Sequence, residues 1–194
     1  MILRANQLDV DRAFVLVVDL QEKLVPLVRH RERVITACRK LLEGTRIFKL
    51  PVLATEQYPQ GLGPTHETIR HCLELSGATI LEKPTFSAWA QAAVREAILG
   101  IDRPQVIMVG VESHVCIQQT TLDLISRDYD VFVCADGVSS RSPFDYERSL
   151  ERMRQEGAFV TTVESVLFEL CHRCDTPEFK AMLEVVKETP PADD

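Results

Sequence analysis

Residues 105–124 read QVIMVGVESHVCIQQTTLDL. A continuous apolar run stops on Gly110, and six residues later Cys116 stands where a helical segment begins. An unbroken Val- and Ile-rich run, rather than an alternating one, is how a strand buried on both faces of a parallel sheet reads. Working outward, comparable runs occur at AFVLVV (13–18), PVLAT (51–55), ATILE (78–82), DVFVCA (130–135) and AFVTTV (158–163). Helical patterns separate them. Residues 27–50 carry Leu27, Val34, Cys38, Leu41, Leu42 and Ile47 at helical spacing with Arg and Lys on the other face, and 87–99, 115–127 and 143–155 are similar. Strands alternating with long helices predict right-handed βαβ crossovers and an α/β fold, a parallel sheet with helices on both faces.

The 194 residues suffice for one domain that buries about 70% of its unfolded surface. A single domain is expected over 1–188 and a disordered acidic tail over 189–194, within the stretch ETPPADD. A net charge of −7 argues against a nucleic-acid or anionic-membrane partner, since both need a basic patch. No apolar run approaches the roughly 18 residues of a membrane span, and MILRANQLDVDR lacks the apolar core of a signal peptide. A cytoplasmic protein acting on a small molecule is expected. Six cysteines, spread along a chain with a good core, read as reduced thiols rather than a disulfide framework.

In such a sheet the chemistry lies at the carboxyl ends of the strands. Three strand ends carry reactive groups. Asp19 is the first polar residue after the run at 13–18, with Gln21 just beyond; Asp19-x-x-Glu22 also matches a capping box. Lys83 follows the run at 78–82, held extended by Pro84, with Phe86 and Trp89 close by to line a pocket. Cys116 follows the run at 105–110, where a helix N-terminus is expected to lower a thiol's pKa. A carboxylate, an ammonium and a thiol converging from three strand ends make a nucleophile, a base and an electrostatic support, with no metal and no cofactor required.

VVDLQ, EKPTFSAW and GVESHVCIQQT resemble, in order and spacing, the signature segments of the isochorismatase-like cysteine hydrolases, over roughly residues 10–170. The resemblance implies a three-layer α/β/α fold with a six-stranded parallel sheet of order 3-2-1-4-5-6. It implies Asp19 as base, Lys83 as electrostatic support and Cys116 as nucleophile. It also implies a non-proline cis peptide at Val111–Glu112 that aims backbone N–H groups of Glu112 and Cys116 at an oxyanion, with Ser113 shaping the same side. Family members commonly assemble as homo-oligomers, and the apolar segment 163–170 is a candidate to pack outside the sheet.

Isochorismatases proper lack the cysteine, so Cys116 directs the reading toward attack on an acyl carbon through a thioester. Nicotinamidases carry a metal site of an aspartate and histidines. Here His66 and His71 stand five residues apart, about 140° around a helix, and no Asp-x-His pair precedes them, so no metal is expected. The EQYPQGLGPT loop resembles the branch named for isochorismatase-domain-containing proteins, and Glu56 and Tyr58 in it are candidates to read substrate polarity. His114 is too close in sequence to Cys116 to serve it, the lone Cys171-x-x-Cys174 reads as structural, and Asp136-Gly137 reads as a turn. The function expected is a metal-free cysteine hydrolase cleaving the C–N bond of a small amide. The alternative is a non-catalytic member of the fold acting in protein association or ligand sensing. GLG at 61–63 lacks the third glycine of a dinucleotide-binding loop.

Overall fold

The computed structural model describes residues 7–187; the tail expected over 189–194 lies outside the described residues. Strands β1 (Ala13–Val18), β2 (Val52–Gln57), β3 (Thr79–Lys83), β4 (Gln105–Val111), β5 (Asp130–Ser139) and β6 (Phe159–Thr161) form one sheet of six. Every pairing is parallel and the order is β3-β2-β1-β4-β5-β6. The chain starts at the centre, winds out to β3, then crosses back to β4. The strand order therefore reverses between β1 and β4, where such sheets open a crevice at their carboxyl ends.

The connections are helices α1 (Arg31–Phe48), α2 (Pro59–Leu62), α3 (Glu67–Leu75), α4 (Ala92–Ile101), α5 (Gln118–Ile125), α6 (Pro143–Gln155), α7 (Val163–Cys171) and α8 (Pro177–Val186). Alternate residues of each strand serve different layers. Val15, Val17, Ala54, Ile107 and Val109 pack with Leu41 and Leu42 of α1, Ile69 of α3, Leu167 of α7 and Met182 of α8. Phe14, Leu16, Val18, Leu53 and Met108 pack with Ile98 of α4, Leu124 of α5 and Met153 of α6. Both layers exclude water, which is why β1 and β4 are apolar at consecutive positions.

The structure departs from the sequence expectation in several places, among them the helices expected over 87–99 and 115–127, which run over Ala92–Ile101 and Gln118–Ile125. The helix expected over 27–50 starts at Arg31, because Pro26 sits in a 3₁₀ turn (Val25–Leu27) and His30 takes a left-handed φ of 50°. Asp136 and Gly137 lie inside β5 rather than in a turn: Met108 pairs with Val133 but Gly110 with Val138, so the strand bulges between them. The Asp136 carboxylate there accepts the Val163 N–H at 2.9 Å and caps α7. The segment 163–170 belongs to α7, which packs in the layer outside the sheet: Val163, Val166, Leu167 and Leu170 are buried, with Leu167 close against Gly44 of α1, while Phe168 is exposed.

Candidate active site

β1 leads directly into Asp19, whose φ of 54° puts a non-glycine residue in the left-handed region. Such a conformation costs about 1–3 kcal/mol and persists only where the surroundings enforce it. Its N–H donates to the Thr55 carbonyl at 3.1 Å. The Thr55 hydroxyl donates to Asp19 Oδ1 at 2.7 Å, and Lys83 Nζ donates to Oδ2 at 2.6 Å. The Asp19 and Lys83 side chains are fully buried. Nζ also reaches Gln57 Oε1 at 2.7 Å and the carbonyls of Thr85 and Phe86 at 3.1 and 3.2 Å. Four oxygens thus face an ammonium that has three N–H groups.

The third group arrives from β4. After the cis peptide between Val111 and Glu112 the chain turns into a wide π segment, Ser113–Ile117, closed by Ile117 N–H on the Glu112 carbonyl at 3.2 Å. Single π turns of this kind often mark functional positions. Cys116 lies in it, 6% exposed, and Asp19 and Lys83 are the ionisable groups that act on its thiol. Burial pushes the thiol up to about 12; Asp19 adds to the rise and Lys83 opposes it. This overturns the lowered thiol pKa expected from a helix N-terminus. Cys116 is not on the first turn of a regular helix, and desolvation beside a carboxylate outweighs the favourable charges.

Gly110 makes the approach of β4 to β1 possible: with φ at 130°, any Cβ there would run into the Val18 backbone. The polar network continues on the far side. Ser113 Oγ meets Ser140 Oγ and accepts from Ser149 Oγ at 3.0 Å, while His114 Nδ1 lies 2.9 Å from Ser140 Oγ. Ser113 therefore ties the π segment to β5 and α6, and His114 turns away from the thiol. The Glu112 carboxylate turns outward to the Arg141 guanidinium at 3.0 Å.

The other residues expected around the pocket divide. Tyr58 and Phe86 are exposed, at 60% and 55%, on loops after β2 and β3. Tyr58, Gln60, Glu82, Lys83 and Gln91 line a cleft of about 220 Å³. Three are placed elsewhere. Glu56 points to the opposite face of the sheet, where Oε1 accepts from Thr65 and from Arg70 Nη2 at 2.7 Å. Gln21 is spent on the main chain: Oε1 accepts the Gln57 N–H at 2.7 Å, and Nε2 donates to the carbonyls of Gln57 at 3.0 Å and Gly63 at 2.7 Å. Trp89 packs edge-on against Tyr129, 5.9 Å between ring centres, with the Arg127 guanidinium 5.0 Å from its centre. Tyr129 precedes β5, so this indole sits at the amino end of the sheet. The sequence reading missed Thr55. The signal was available in TEQ (55–57): once β2 runs to Gln57, residues 55 and 57 share the face of Lys83 and residue 56 does not.

Among the described residues no group of three or more His, Cys, Asp or Glu is placed to hold a metal, and no helix is long and apolar enough to cross a membrane.

Comparison with known proteins adds independent information. The family model described as isochorismatase domain matches residues 13–165. Isochorismatase domain-containing protein 1 of Danio rerio is 38% identical over 174 residues, which cover 89% of this chain and 60% of that protein. The chain thus spans about 60% of the length of that relative. The MAR1 ribonuclease of Caenorhabditis elegans superposes with a TM-score of 0.90 at 34% identity, covering 96% of this chain and 95% of that one. The YcaC gene product of Escherichia coli, an octameric hydrolase of unknown specificity, superposes with a TM-score of 0.87 at 26% identity, covering 94% of this chain and 91% of that one.

Proposed function

The chain belongs to the isochorismatase family, and from that premise we propose that it is a cysteine hydrolase that cleaves the C–N bond of a small amide through a thioester on Cys116. The observation that carries the reading is the meeting of the Cys116 thiol with a fully buried Asp19–Lys83 pair at 2.6 Å, at the strand-order switch. A thiol near 12 is protonated at neutral pH, so attack requires its proton to leave as the S–C bond forms. Asp19 accepts that proton. The backbone N–H groups of Glu112 and Cys116 receive the developing oxyanion. As the tetrahedral adduct collapses, the C–N bond breaks and Asp19 returns the proton to the leaving nitrogen. Water then attacks the thioester, giving its proton to Asp19; as this second adduct collapses the S–C bond breaks, the sulfur takes the proton back from Asp19, and the acid leaves with the thiol restored. Lys83 holds the charge of Asp19 throughout. Every step uses groups of the chain itself.

Two finer points belong to the same reading. The E. coli neighbour is an octamer, which supports a homo-oligomer here. All six cysteines are free, which suits a reducing, cytoplasmic setting. A nucleic-acid substrate of the kind named for the nematode neighbour is less favoured, because the net charge is −7 and the thiol is almost closed off.

The test is a panel of small primary and N-substituted amides with wild type and Cys116→Ala, with acyl-enzyme trapped by mass spectrometry. Turnover lost in the Ala variant, and an adduct on Cys116 alone, are expected. No turnover and no adduct in wild type would instead favour the non-catalytic alternative, which the deep burial of the thiol also suits.

A further inference from the structure

Asp19 is gripped by Thr55 at two points. The Thr55 carbonyl accepts the Asp19 N–H at 3.1 Å and the Thr55 hydroxyl donates to Oδ1 at 2.7 Å. With Lys83 on Oδ2 at 2.6 Å, the carboxylate is fixed by donors from two different strands. Thr55 is 1% exposed. A β-branched side chain in a strand has little rotamer freedom, so the hydroxyl is presented in one direction. A hydroxyl has a single proton to give, and here it goes to the carboxylate. A donor on a carboxylate favours its ionised form.

Resting on the hydrolase reading above, we propose that Thr55 is a positioning residue: through its hydroxyl on Oδ1 it keeps Asp19 oriented, ready to take the Cys116 proton. The ionisable groups that face Asp19 are Lys83 from β3 and Cys116 from the π segment. Neither is altered by changing Thr55, so an effect on Asp19 reports the hydroxyl. Thr55 touches neither sulfur nor substrate and acts only through Asp19. Its neighbour two residues on, Gln57, meets Lys83 from the same face. The end of β2 thus supports both members of the pair without supplying a reacting atom.

The experiment measures kcat and KM for amide turnover in the full chain, comparing wild type, Thr55→Val and Thr55→Ser, with iodoacetamide alkylation of Cys116 mapped by peptide mass spectrometry and thermal unfolding followed in parallel. Val keeps the shape and removes the donor. It is expected to lower kcat by about tenfold or more with KM little changed and to alter the Cys116 alkylation rate, and Ser is expected to restore both. A Val variant that loses thermal stability but keeps the wild-type kcat would overturn the proposal. If the Val variant does not fold, Thr55→Cys, a weaker donor, is read in its place, with a smaller fall expected and no fall overturning the idea. Cys116→Ala in the amide panel tests the parent reading separately. Should that reading fail while Val still alters Cys116 alkylation, Thr55 is left as a support of the ion pair and the catalytic role assigned to it falls.

Discussion

Replacing Asp19 by Asn separates the two roles the carboxylate plays toward Cys116, because they carry opposite signs. As a charge beside the sulfur, Asp19 raises the thiol; as the base of the proposed mechanism, it is the route by which the proton would leave. Asparagine keeps the shape and removes both. The thiol then faces the Lys83 ammonium with no carboxylate between them, so its pKa falls from about 12, although burial still holds it up. A fall of one unit gives about tenfold more thiolate at any pH below the pKa. Iodoacetamide alkylation, mapped by peptide mass spectrometry at pH 8, should therefore quicken at Cys116 by about tenfold or more. Exposed Cys174 in the same sample supplies the control rate. Amide turnover should move the other way, falling by about 10²–10⁴-fold, as is usual when a general base is lost. Faster alkylation with slower hydrolysis is a combination that misfolding does not produce, since opening the site would expose buried Cys134 as well. Slower or unchanged alkylation at Cys116 would refute the placement of Asp19 as a charge acting on that thiol.

Other substitutions test the surrounding structure. Lys83→Met leaves the buried Asp19 charge without its partner and should cost about 3–5 kcal/mol in urea unfolding at pH 7. Gly110→Ala forces a Cβ against the Val18 backbone at a φ of 130° and should cost about 2–5 kcal/mol by the same assay. Asp136 is raised by burial, partly offset by the Val163 N–H, so ionising it works against the fold. Its contribution is present below the ordinary carboxyl value of about 3.9 and is lost as pH rises through the higher folded value. Asp136→Asn, which still accepts from Val163, should flatten that part of the stability profile above pH 4, read as Tm against pH.

What was legible in the sequence follows from what each residue is asked to satisfy. β1 and β4 are sandwiched between two helical layers, so burial acts on consecutive positions and the strands announce themselves. α6 is equally plain: Ser142 caps it through its side chain and Pro143 opens it, and its limits match the expected 143–155. α3 and α7 are nine-residue helices, too short for a strong periodic signal. The convergence of Asp19, Lys83 and Cys116 could be anticipated because each lies at or just beyond the carboxyl end of a strand. The pocket walls could not, because side-chain direction depends on parity. Ending β2 at residue 55 rather than Gln57 hides which of Thr55, Glu56 and Gln57 share a face, and Glu56 turns to Arg70. Trp89 likewise depends on Tyr129, forty residues away, which no local pattern reveals.

The placement of Cys116 has a consequence for selectivity. A cysteine with a depressed pKa is a standing thiolate and reacts with any accessible electrophile or oxidant. With its thiol pushed up to about 12 by burial, Cys116 is held in the protonated form at pH 7. Its neighbours are held in place: each oxygen of the carboxylate accepts from one donor, Thr55 or Lys83, and the ammonium has more acceptors than protons. Reaction then requires a partner that makes sulfur attack and proton transfer favourable together. A carbonyl does so, because its oxygen gathers charge that backbone N–H groups can bind as the S–C bond forms. An alkylating agent or peroxide gathers no such charge at that point. The neutral, buried resting state therefore disfavours adventitious chemistry while leaving acyl transfer open, and it explains why a nucleophile would sit in a π turn against a carboxylate rather than on the first turn of a regular helix.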